Sequence, residues 1–276
     1  MAAKKRFDGL VVWITGAGSG IGRALAIELA RQGATIAVSG RRRANLDDVV
    51  HAIEAIAGRA LAVPCDVTDE TSLADAVRAI GRELGRLDVV VANAGFSVAA
   101  PIRALTKDDW RRQLDTNVIG AALTASCALP ALEKTRGRVV FVASVSAFVP
   151  APRVGAYSAS KAALRSIGQT LDLELAGSGV SVTLIHPGFV ESEIAQVDNL
   201  GVHDPSRADK RPKNLMWPAD RAARVMADAI WARKHEFVFT RHGRVGAFVG
   251  QHLPGVLRLA MTRGGAKNRM NEVTKG

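Results

Sequence analysis

The chain has 276 residues, of which 48% are hydrophobic, and it carries a formal net charge of +11. This length suits one large α/β domain, the first residues are too polar for a secretory signal, and no apolar run is long enough to span a membrane. The two cysteines and six histidines show no redox or metal-ligand spacing, so we expect a cytoplasmic protein with no catalytic metal.

Short apolar runs alternate with amphipathic segments, as in parallel strands joined by helices. We predict strands at residues 10–15, 34–39, 60–64, 87–91, 138–143, 180–185 and 236–239. We predict helices at residues 20–32, 43–57, 69–84, 106–133, 157–176 and 218–232. This order predicts the α/β class, as a Rossmann-like, doubly wound parallel sheet in a single domain, with ligands at the carboxyl ends of the strands.

A glycine-rich turn links the first predicted strand to the first helix. Its glycines, Gly16, Gly18, Gly20 and Gly22, come close to the G-x-G-x-x-G spacing of dinucleotide-binding turns, with the last glycine one place late. Such a turn lets backbone N–H groups approach phosphate oxygens at a helix N-terminus. It predicts a nucleotide site, although glycines also serve ordinary tight turns.

Tyr157 is the single tyrosine of the chain, and Lys161 follows it by four residues. On a helix this spacing places the phenol and the ammonium on one face. The cation favours the phenolate and should lower the pKa of the phenol. Tyr157 can then act as a general acid or base on an alcohol or carbonyl oxygen. For this pair alone, a half-buried ring beside a solvated lysine is the alternative.

Together these segments resemble the short-chain dehydrogenase/reductase family, in order from about residue 7 to about residue 240. The matching residues follow successive strands, and their order makes the resemblance specific. They are Thr15, Gly16, Gly20 and Gly22 in the nucleotide loop, Asn93-Ala94-Gly95, Asn117, Ser144, Tyr157, Lys161 and Pro187-Gly188.

The resemblance implies hydride transfer between a nicotinamide and a small-molecule ketone or secondary alcohol. It implies that Tyr157 protonates the alkoxide and that Ser144 hydrogen-bonds the substrate oxygen. Lys161 would lower the pKa of the tyrosine and hold the nicotinamide ribose, and Asn117 would order a water linking Lys161 to solvent. A helix asparagine bonded to backbone is the alternative for Asn117.

The resemblance also implies cofactor contacts along the strand ends. Asp66 resembles the family aspartate that meets the adenine ring, although it could instead cap the following helix. Ser192 offers a hydroxyl where the family often has threonine. The full set is Thr15, Gly16, Ser19, Gly20, Ile21, Gly22, Arg41, Arg42, Asp66, Val67, Asn93, Ala94, Gly95, Tyr157, Lys161, Pro187, Gly188, Val190 and Ser192.

The end of the second strand predicts NADP(H) as the cofactor. NAD enzymes of this architecture usually place a carboxylate there, whereas this chain has Arg41-Arg42-Arg43. Guanidinium groups suit a 2′-phosphate, and Arg41 stands where NADP-preferring family members carry a basic residue. Ser19 departs from members with a further basic residue in the loop. A solvated basic start to the second helix is the alternative.

The substrate wall is predicted to be mostly apolar, which favours a lipophilic substrate, although several of its residues could be ordinary core. Segment 193–216 is irregular and is predicted to be a mobile lid. The predicted wall comprises Phe96, Ser97, Val98, Val145, Phe148, Val149, Val154 and residues 189–216.

Residues 7–240 are predicted to form the catalytic domain and residues 241–276 a basic amphipathic extension with seven basic residues and one acidic residue. We expect its apolar stripe to pack on protein, with an anionic membrane surface or a loose tail as alternatives. The stripe comprises Val245, Phe248, Val249, Leu253, Val256, Leu257 and Ala260. No nucleic-acid motif is present, and we expect no nucleic-acid partner.

Family members commonly associate through the two long helices predicted at 106–133 and 157–176, so we expect a homodimer or homotetramer. Small residues on the second helix would allow close approach, namely Ala159, Ala162, Ala163 and Ser166.

Two other functions remain open on this fold. A non-catalytic NADP-binding sensor or scaffold would need only the phosphate loop, so the four catalytic matches argue against it. An epimerase or dehydratase would reuse the tyrosine and the cofactor.

Overall fold

Seven parallel strands form the centre of the molecule in the computed structural model, which describes residues 5–209 and 211–262. Their spatial order is β3-β2-β1-β4-β5-β6-β7, so the winding reverses between β1 and β4. All seven predicted strands are confirmed, with ends that differ by at most two residues. The strands are β1 Val11–Thr15, β2 Thr35–Ser39, β3 Arg59–Ala62, β4 Val89–Ala92, β5 Arg138–Val142, β6 Ser181–His186 and β7 Glu236–Val238.

The helices cover both faces of this sheet. They are α1 Gly20–Arg31, α2 Arg43–Glu54, α3 Glu70–Leu84, α4 Lys107–Leu114, α5 Gly120–Thr135, α6 Gly155–Glu174, α7 Ala219–Trp231 and α8 Arg241–His252. The prediction of one helix over 106–133 was wrong, because a π-helical turn, Asp115–Ile119, separates α4 from α5. Wide turns of this kind occur often at functional sites, and this one holds Asn117.

Two hydrophobic clusters enclose the sheet. Helices α1, α2 and α7 pack on one face around residues such as Leu25 and Met226. Helices α3, α5 and α6 pack on the other face around Trp13 and Phe141. Burial on both faces explains why these strands are nearly continuous apolar runs. Trp13 is fully buried, and its indole N–H donates to Ser39 Oγ at 2.9 Å.

The carboxyl ends of β1, β4, β5 and β6 lie along one edge of the sheet. Gly16, Asn93, Ser144 and Pro187 follow these strands and therefore meet there. The reversal between β1 and β4 opens a crevice at this edge, which is where ligands bind on such sheets. Within the described ranges, no helix is long and apolar enough to cross a membrane.

Candidate active site

The glycine loop after β1 packs tightly against the end of β4. Gly16 has a φ of +63°, and a Cβ on it would lie 2.7 Å from Ala94 Cα. A Cβ on Gly22 would lie 2.4 Å from the Gly16 oxygen. Asn93 secures the loop, since its Nδ2 donates to the oxygens of Thr15 and Gly16 at 2.9 and 3.1 Å. The two glycines are therefore required by close approach of backbone to backbone.

Thr15 supports the loop from behind. Its hydroxyl oxygen accepts from the backbone N–H groups of Asn93 and Ala94 at 3.1 and 3.2 Å, and the residue is buried. Thr15 does not line the cavity described below. Its position is that of a residue that orients the loop rather than one that touches a ligand.

A cavity of about 490 Å³ runs from the glycine loop to Tyr157. It is lined by most of the residues predicted to contact cofactor or substrate, while Thr15 and Asn117 lie behind its wall. The predicted residues that line it are Gly16, Ser19, Gly20, Ile21, Gly22, Arg41, Arg42, Asp66, Val67, Asn93, Ala94, Gly95, Ser144, Tyr157, Lys161, Pro187, Gly188, Val190 and Ser192.

Sequence analysis missed several other lining residues. Leu46 lines the same part of the cavity as Arg41 and Arg42. Arg112 comes from α4, and its contact with the oxygen of Asn199 at 3.2 Å crosses 87 positions of sequence. Contacts this distant in sequence leave no local signal.

Ser144 and Tyr157 lie together at the end of the cavity remote from the glycine loop. Ser144 follows β5 in extended backbone, and its hydroxyl accepts from Ser146 N at 3.1 Å. Burial raises the pKa of Tyr157, while a hydrogen bond with Ser144 and the positive charge of Arg211 act in the opposite direction. Burial is the largest of these effects, so the pKa of the phenol lies above its ordinary value, and the expected lowering by Lys161 stays a prediction.

Lys161 is buried beside Tyr157 on α6. Its Nζ donates to the oxygen of Val142 at 2.9 Å and lies 5.8 Å from the centre of the Tyr157 ring. Burial lowers the pKa of Lys161 to about 8. The side chain thus places a titratable cation, charged for the most part at neutral pH, against the phenol.

Asn117 ties the loop after β4 to α6. Its Nδ2 donates to Phe96 O at 3.0 Å and to Ser160 Oγ at 3.1 Å, and its Oδ1 accepts from Phe96 N at 3.1 Å. A Cβ on Gly95 would lie 3.0 Å from this Oδ1 and 3.7 Å from Lys161 Nζ. The two groups therefore border the same side of Gly95, and Oδ1 retains a lone pair for a bridging water.

Gln113 was missed by sequence analysis and performs a similar task. It is fully buried, with Nε2 donating to Phe96 O at 2.9 Å and Oε1 accepting from Val98 N at 2.7 Å. A single buried glutamine in the short helix α4, in which Trp110 and Leu114 are the apolar residues, carries no pattern that would reveal it.

A second missed group lies directly behind Ser144. The His186 ring is fully buried, with Nδ1 3.1 Å from Ser144 O and Nε2 2.8 Å from Glu236 Oε1. Arg165 Nε also donates to that oxygen at 2.6 Å. Both ring nitrogens lie within hydrogen-bond distance of an oxygen. This chain of groups links β6, β7 and α6 beneath the serine.

Arg41 and Arg42 extend toward residues 193–209 and 211–216, which line one side of the cavity and are called the covering segment below. Arg41 Nη2 donates to Gly201 O at 3.2 Å, and Arg42 Nη2 lies 3.3 Å from Glu193 Oε2. Asp66 lines the cavity nearby. It does not cap α3, because Asp69 accepts from Thr71 N at that helix start. Asp66 Oδ1 instead accepts from the backbone N–H and the hydroxyl of Thr68 at 3.0 and 2.7 Å, in the turn before that helix.

The covering segment is fixed to the end of β6 by Arg211. Its guanidinium donates to the oxygens of Val190 and Ser192 at 3.0 and 2.9 Å and pairs with Asp209 at 2.8 Å. Ile194, Val197 and Leu200 from the same segment line the cavity with apolar atoms.

The predicted substrate wall was partly wrong. Phe96 lines the cavity, but Val145, Phe148 and Val149 pack against α8 instead. The same apolar side chains can pack either on a substrate or on the helix that follows the last strand. The sequence alone does not show which of the two they contact.

Comparisons with known proteins agree with this geometry. A family model described as short chain dehydrogenase matches residues 10–201. An uncharacterized oxidoreductase of Myxococcus xanthus is 41% identical over 187 residues, which cover 67% of this chain and 74% of that relative. An uncharacterized oxidoreductase of Staphylococcus epidermidis is 35% identical over 224 residues, covering 81% of this chain and 96% of the relative.

Two solved structures share the fold over most of their length. A short-chain dehydrogenase/reductase from Burkholderia phymatum in complex with NAD has a TM-score of 0.77 and 26% identity, over 84% of this chain and 89% of that one. A 3-ketoacyl-(acyl-carrier-protein) reductase from Brucella melitensis, complexed with NADH, has a TM-score of 0.74 and 25% identity, over 85% and 98%. This chain thus belongs to the short-chain dehydrogenase/reductase family and is a nicotinamide-dependent oxidoreductase.

Proposed function

We propose that the protein is an NADP(H)-dependent oxidoreductase that interconverts a lipophilic ketone and its secondary alcohol. The observation that carries the proposal is that Ser144, Tyr157 and Lys161 line the same cavity as the glycine loop. A sensor would have no use for a serine, a tyrosine and a lysine gathered at the far end of its nucleotide cavity.

The cavity walls fit a dinucleotide. Gly20 has a φ of +52°, and a Cβ on it would lie 3.0 Å from Ser192 Cβ. A Cβ on Gly188 would lie 2.3 Å from Thr240 Oγ1. Gly20 and Gly188 both line the cavity, so no side chain projects into it at these two positions. A pyrophosphate near Gly20 and a nicotinamide near Gly188 would each need such close approach to the backbone. The bound cofactor would supply the hydride at its nicotinamide C4.

The side chains of the chain supply the proton. Because burial raises its pKa, Tyr157 holds its proton at neutral pH and can donate it to the substrate oxygen during reduction. Ser144 donates a hydrogen bond to the same oxygen, and the Lys161 cation stabilises the phenolate that remains. Asn117 Oδ1 and Lys161 Nζ would share the water that returns a proton from solvent.

The preference for NADP(H) is supported by the end of β2. Arg41 and Arg42 line the cavity, and β2 is followed by Gly40 rather than by a carboxylate. Their guanidinium forks match a ribose 2′-phosphate. The preference for a lipophilic substrate is supported by Phe96, Ile194 and Leu200, which contribute apolar atoms to the cavity wall.

Replacing Tyr157 by phenylalanine tests the catalytic assignment. We expect turnover of a ketone panel to fall by roughly 10²–10⁴-fold, because only the transferable proton is lost. Calorimetry should show unchanged NADPH affinity. A variant that retains more than about a tenth of the wild-type rate would exclude Tyr157 as the acid.

Replacing Arg41 by aspartate tests the cofactor assignment. We expect wild-type protein to bind NADPH at least about tenfold more tightly than NADH, and the variant to lose or reverse this ratio. Arg43→Asp is the matched control, because Arg43 is exposed, pairs with Asp47 at 2.8 Å and stands outside the cavity lining. Equal binding of both cofactors by wild-type protein would contradict the assignment.

We also propose a homodimer or homotetramer that forms through α5 and α6. Ala159, Ala162 and Ser166 lie exposed along α6 at spacings that share one face, and Leu173 continues that face at 77% exposure. Leu173→Asp should shift the mass in light scattering toward the monomer. A wild-type mass equal to one chain would refute the assembly.

A further inference from the structure

The C-terminal arm, defined as residues 241–262, packs on the body through glycines. Gly243, Ala247 and Gly250 of α8 face the segment 145–149, and a Cβ on Gly250 would lie 2.2 Å from Phe148 O. The predicted apolar stripe points the other way. Val245 is 65% exposed and Phe248 is 60% exposed.

The arm continues beyond α8 as a second helical stretch, residues 254–262. Val256, Leu259 and Met261 are exposed within it, and of its nine residues Leu257 alone is half-buried. Within residues 5–209 and 211–262, no other part of the chain covers these exposed side chains. Exposed apolar side chains that lie together in this way commonly mark a contact surface.

The charges of the arm indicate which surface fits. Residues 241–262 contain Arg241, Arg244 and Arg258 and no aspartate or glutamate. At about 100° per residue, the two arginines of α8 fall within an arc of about 100° together with Val245 and Phe248. The exposed face of α8 is therefore apolar and cationic at once.

A second copy of the chain is a poor partner for this face. A two-fold contact sets the same patch against itself, which would bring these arginines together, and like charges in contact are costly. The segment 145–155, on which α8 rests, adds Arg153 and likewise contains no acidic residue. The surface of an anionic lipid bilayer offers an apolar layer for the exposed side chains and the opposite charge for the arginines.

We propose that the C-terminal arm lies on the surface of an anionic lipid bilayer. Val245 and Phe248 enter the boundary between headgroups and acyl chains, joined by Val256 and Leu259. The arginines lie at the level of the lipid phosphates. Because α8 rests on the segment that begins one residue after Ser144, the bilayer borders the active-site side of the molecule.

Co-sedimentation of the full chain with vesicles tests this. We expect binding to vesicles of equal phosphatidylcholine and phosphatidylglycerol, weak binding to phosphatidylcholine alone, and loss at high salt. Each arginine near such a surface contributes about fivefold. The triple variant R241Q/R244Q/R258Q should thus lower partition roughly 100-fold, and V245S/F248S should lower it even at low salt.

Matched controls separate this site from the overall positive charge. The triple variant R78Q/R82Q/R224Q removes three exposed arginines from α3 and α7, and I56S removes an exposed apolar residue that follows α2. Both should bind vesicles like wild type. Circular dichroism of every variant verifies folding.

Three results would overturn the proposal. The first is no binding to anionic vesicles. The second is equal loss in the arm and control triple variants, which would assign binding to net charge alone. The third is a dimer in light scattering that V245S/F248S abolishes without changing vesicle binding, which would show that a second copy covers the arm.

Discussion

Replacing Glu236 by glutamine should lower the free energy of unfolding at neutral pH. The loss should be smaller at acidic pH. Burial alone would raise the pKa of this carboxyl group, but hydrogen bonds from His186 and Arg165, with their charges, lower it from 4.5 to about 2. At about 1.36 kcal/mol per pKa unit, this corresponds to at most about 3.4 kcal/mol of folding free energy. Because the side chain keeps 30% exposure, solvent screening reduces the expected effect to about 2 kcal/mol.

The pH dependence follows from the sign of this change. The folded pKa lies below the unfolded one, so the stabilisation is complete above about 4.5 and is lost as the pH falls toward about 2. Urea unfolding of wild type and Glu236→Gln should thus differ by about 2 kcal/mol near pH 7 and by less than half of that near pH 3. Glu54→Gln, at an exposed position, is the control.

A difference between wild type and Glu236→Gln that stays constant with pH would refute this reasoning. The loss would then come from altered packing rather than from the carboxylate charge. The same variant should also reduce turnover, because His186 connects Glu236 to the backbone of Ser144.

Three further substitutions test the site. Gly22→Ala should weaken cofactor binding in calorimetry by at least about tenfold, because its Cβ would lie 2.4 Å from Gly16 O. Gly81→Ala, with nothing within 4 Å of its Cβ, should leave affinity unchanged. Lys161→Met should raise the urea midpoint at neutral pH, since burial disfavours its charge, while turnover falls by about 10²-fold or more; a lower midpoint would contradict this. Asn117→Ala should lower thermal stability by about 1–3 kcal/mol through its lost bonds to Phe96 and Ser160, and an unchanged melting curve would contradict it.

The sheet and the site along its edge could be predicted because both are encoded locally. A buried parallel strand is an uninterrupted apolar run, and the residues after it fall at the ligand edge whatever the rest of the chain does. Gly16, Asn93, Ser144 and Pro187 all follow predicted strands, whereas Tyr157 was singled out by its helical spacing from Lys161. The π-helical turn at Asp115–Ile119 could not be predicted, because the sequence around it keeps a helical pattern. The wider turn is held by contacts of Asn117 with Phe96 and Ser160, which are distant in sequence.

The orientation of α8 on the rest of the chain could not be predicted for a different reason. The sequence predicts that its apolar stripe packs on protein, and in the single chain Val245 and Phe248 of that stripe are exposed. The structure buries Gly243 and Gly250 because the helix lies too near the Phe148 backbone for larger residues. Where two backbones approach this closely, the helix turns its glycines toward the other backbone because larger side chains do not fit there. Its most apolar face is then not the buried one.

The contacts of Arg41 and Arg42 with the covering segment connect the proposed nucleotide site to the segment that lines the cavity. A nucleotide phosphate that takes these guanidinium donors must compete with Gly201 O and Glu193. If the nucleotide moves that segment and thereby changes the affinity for a substrate, the substrate must change the affinity for the nucleotide by the same factor.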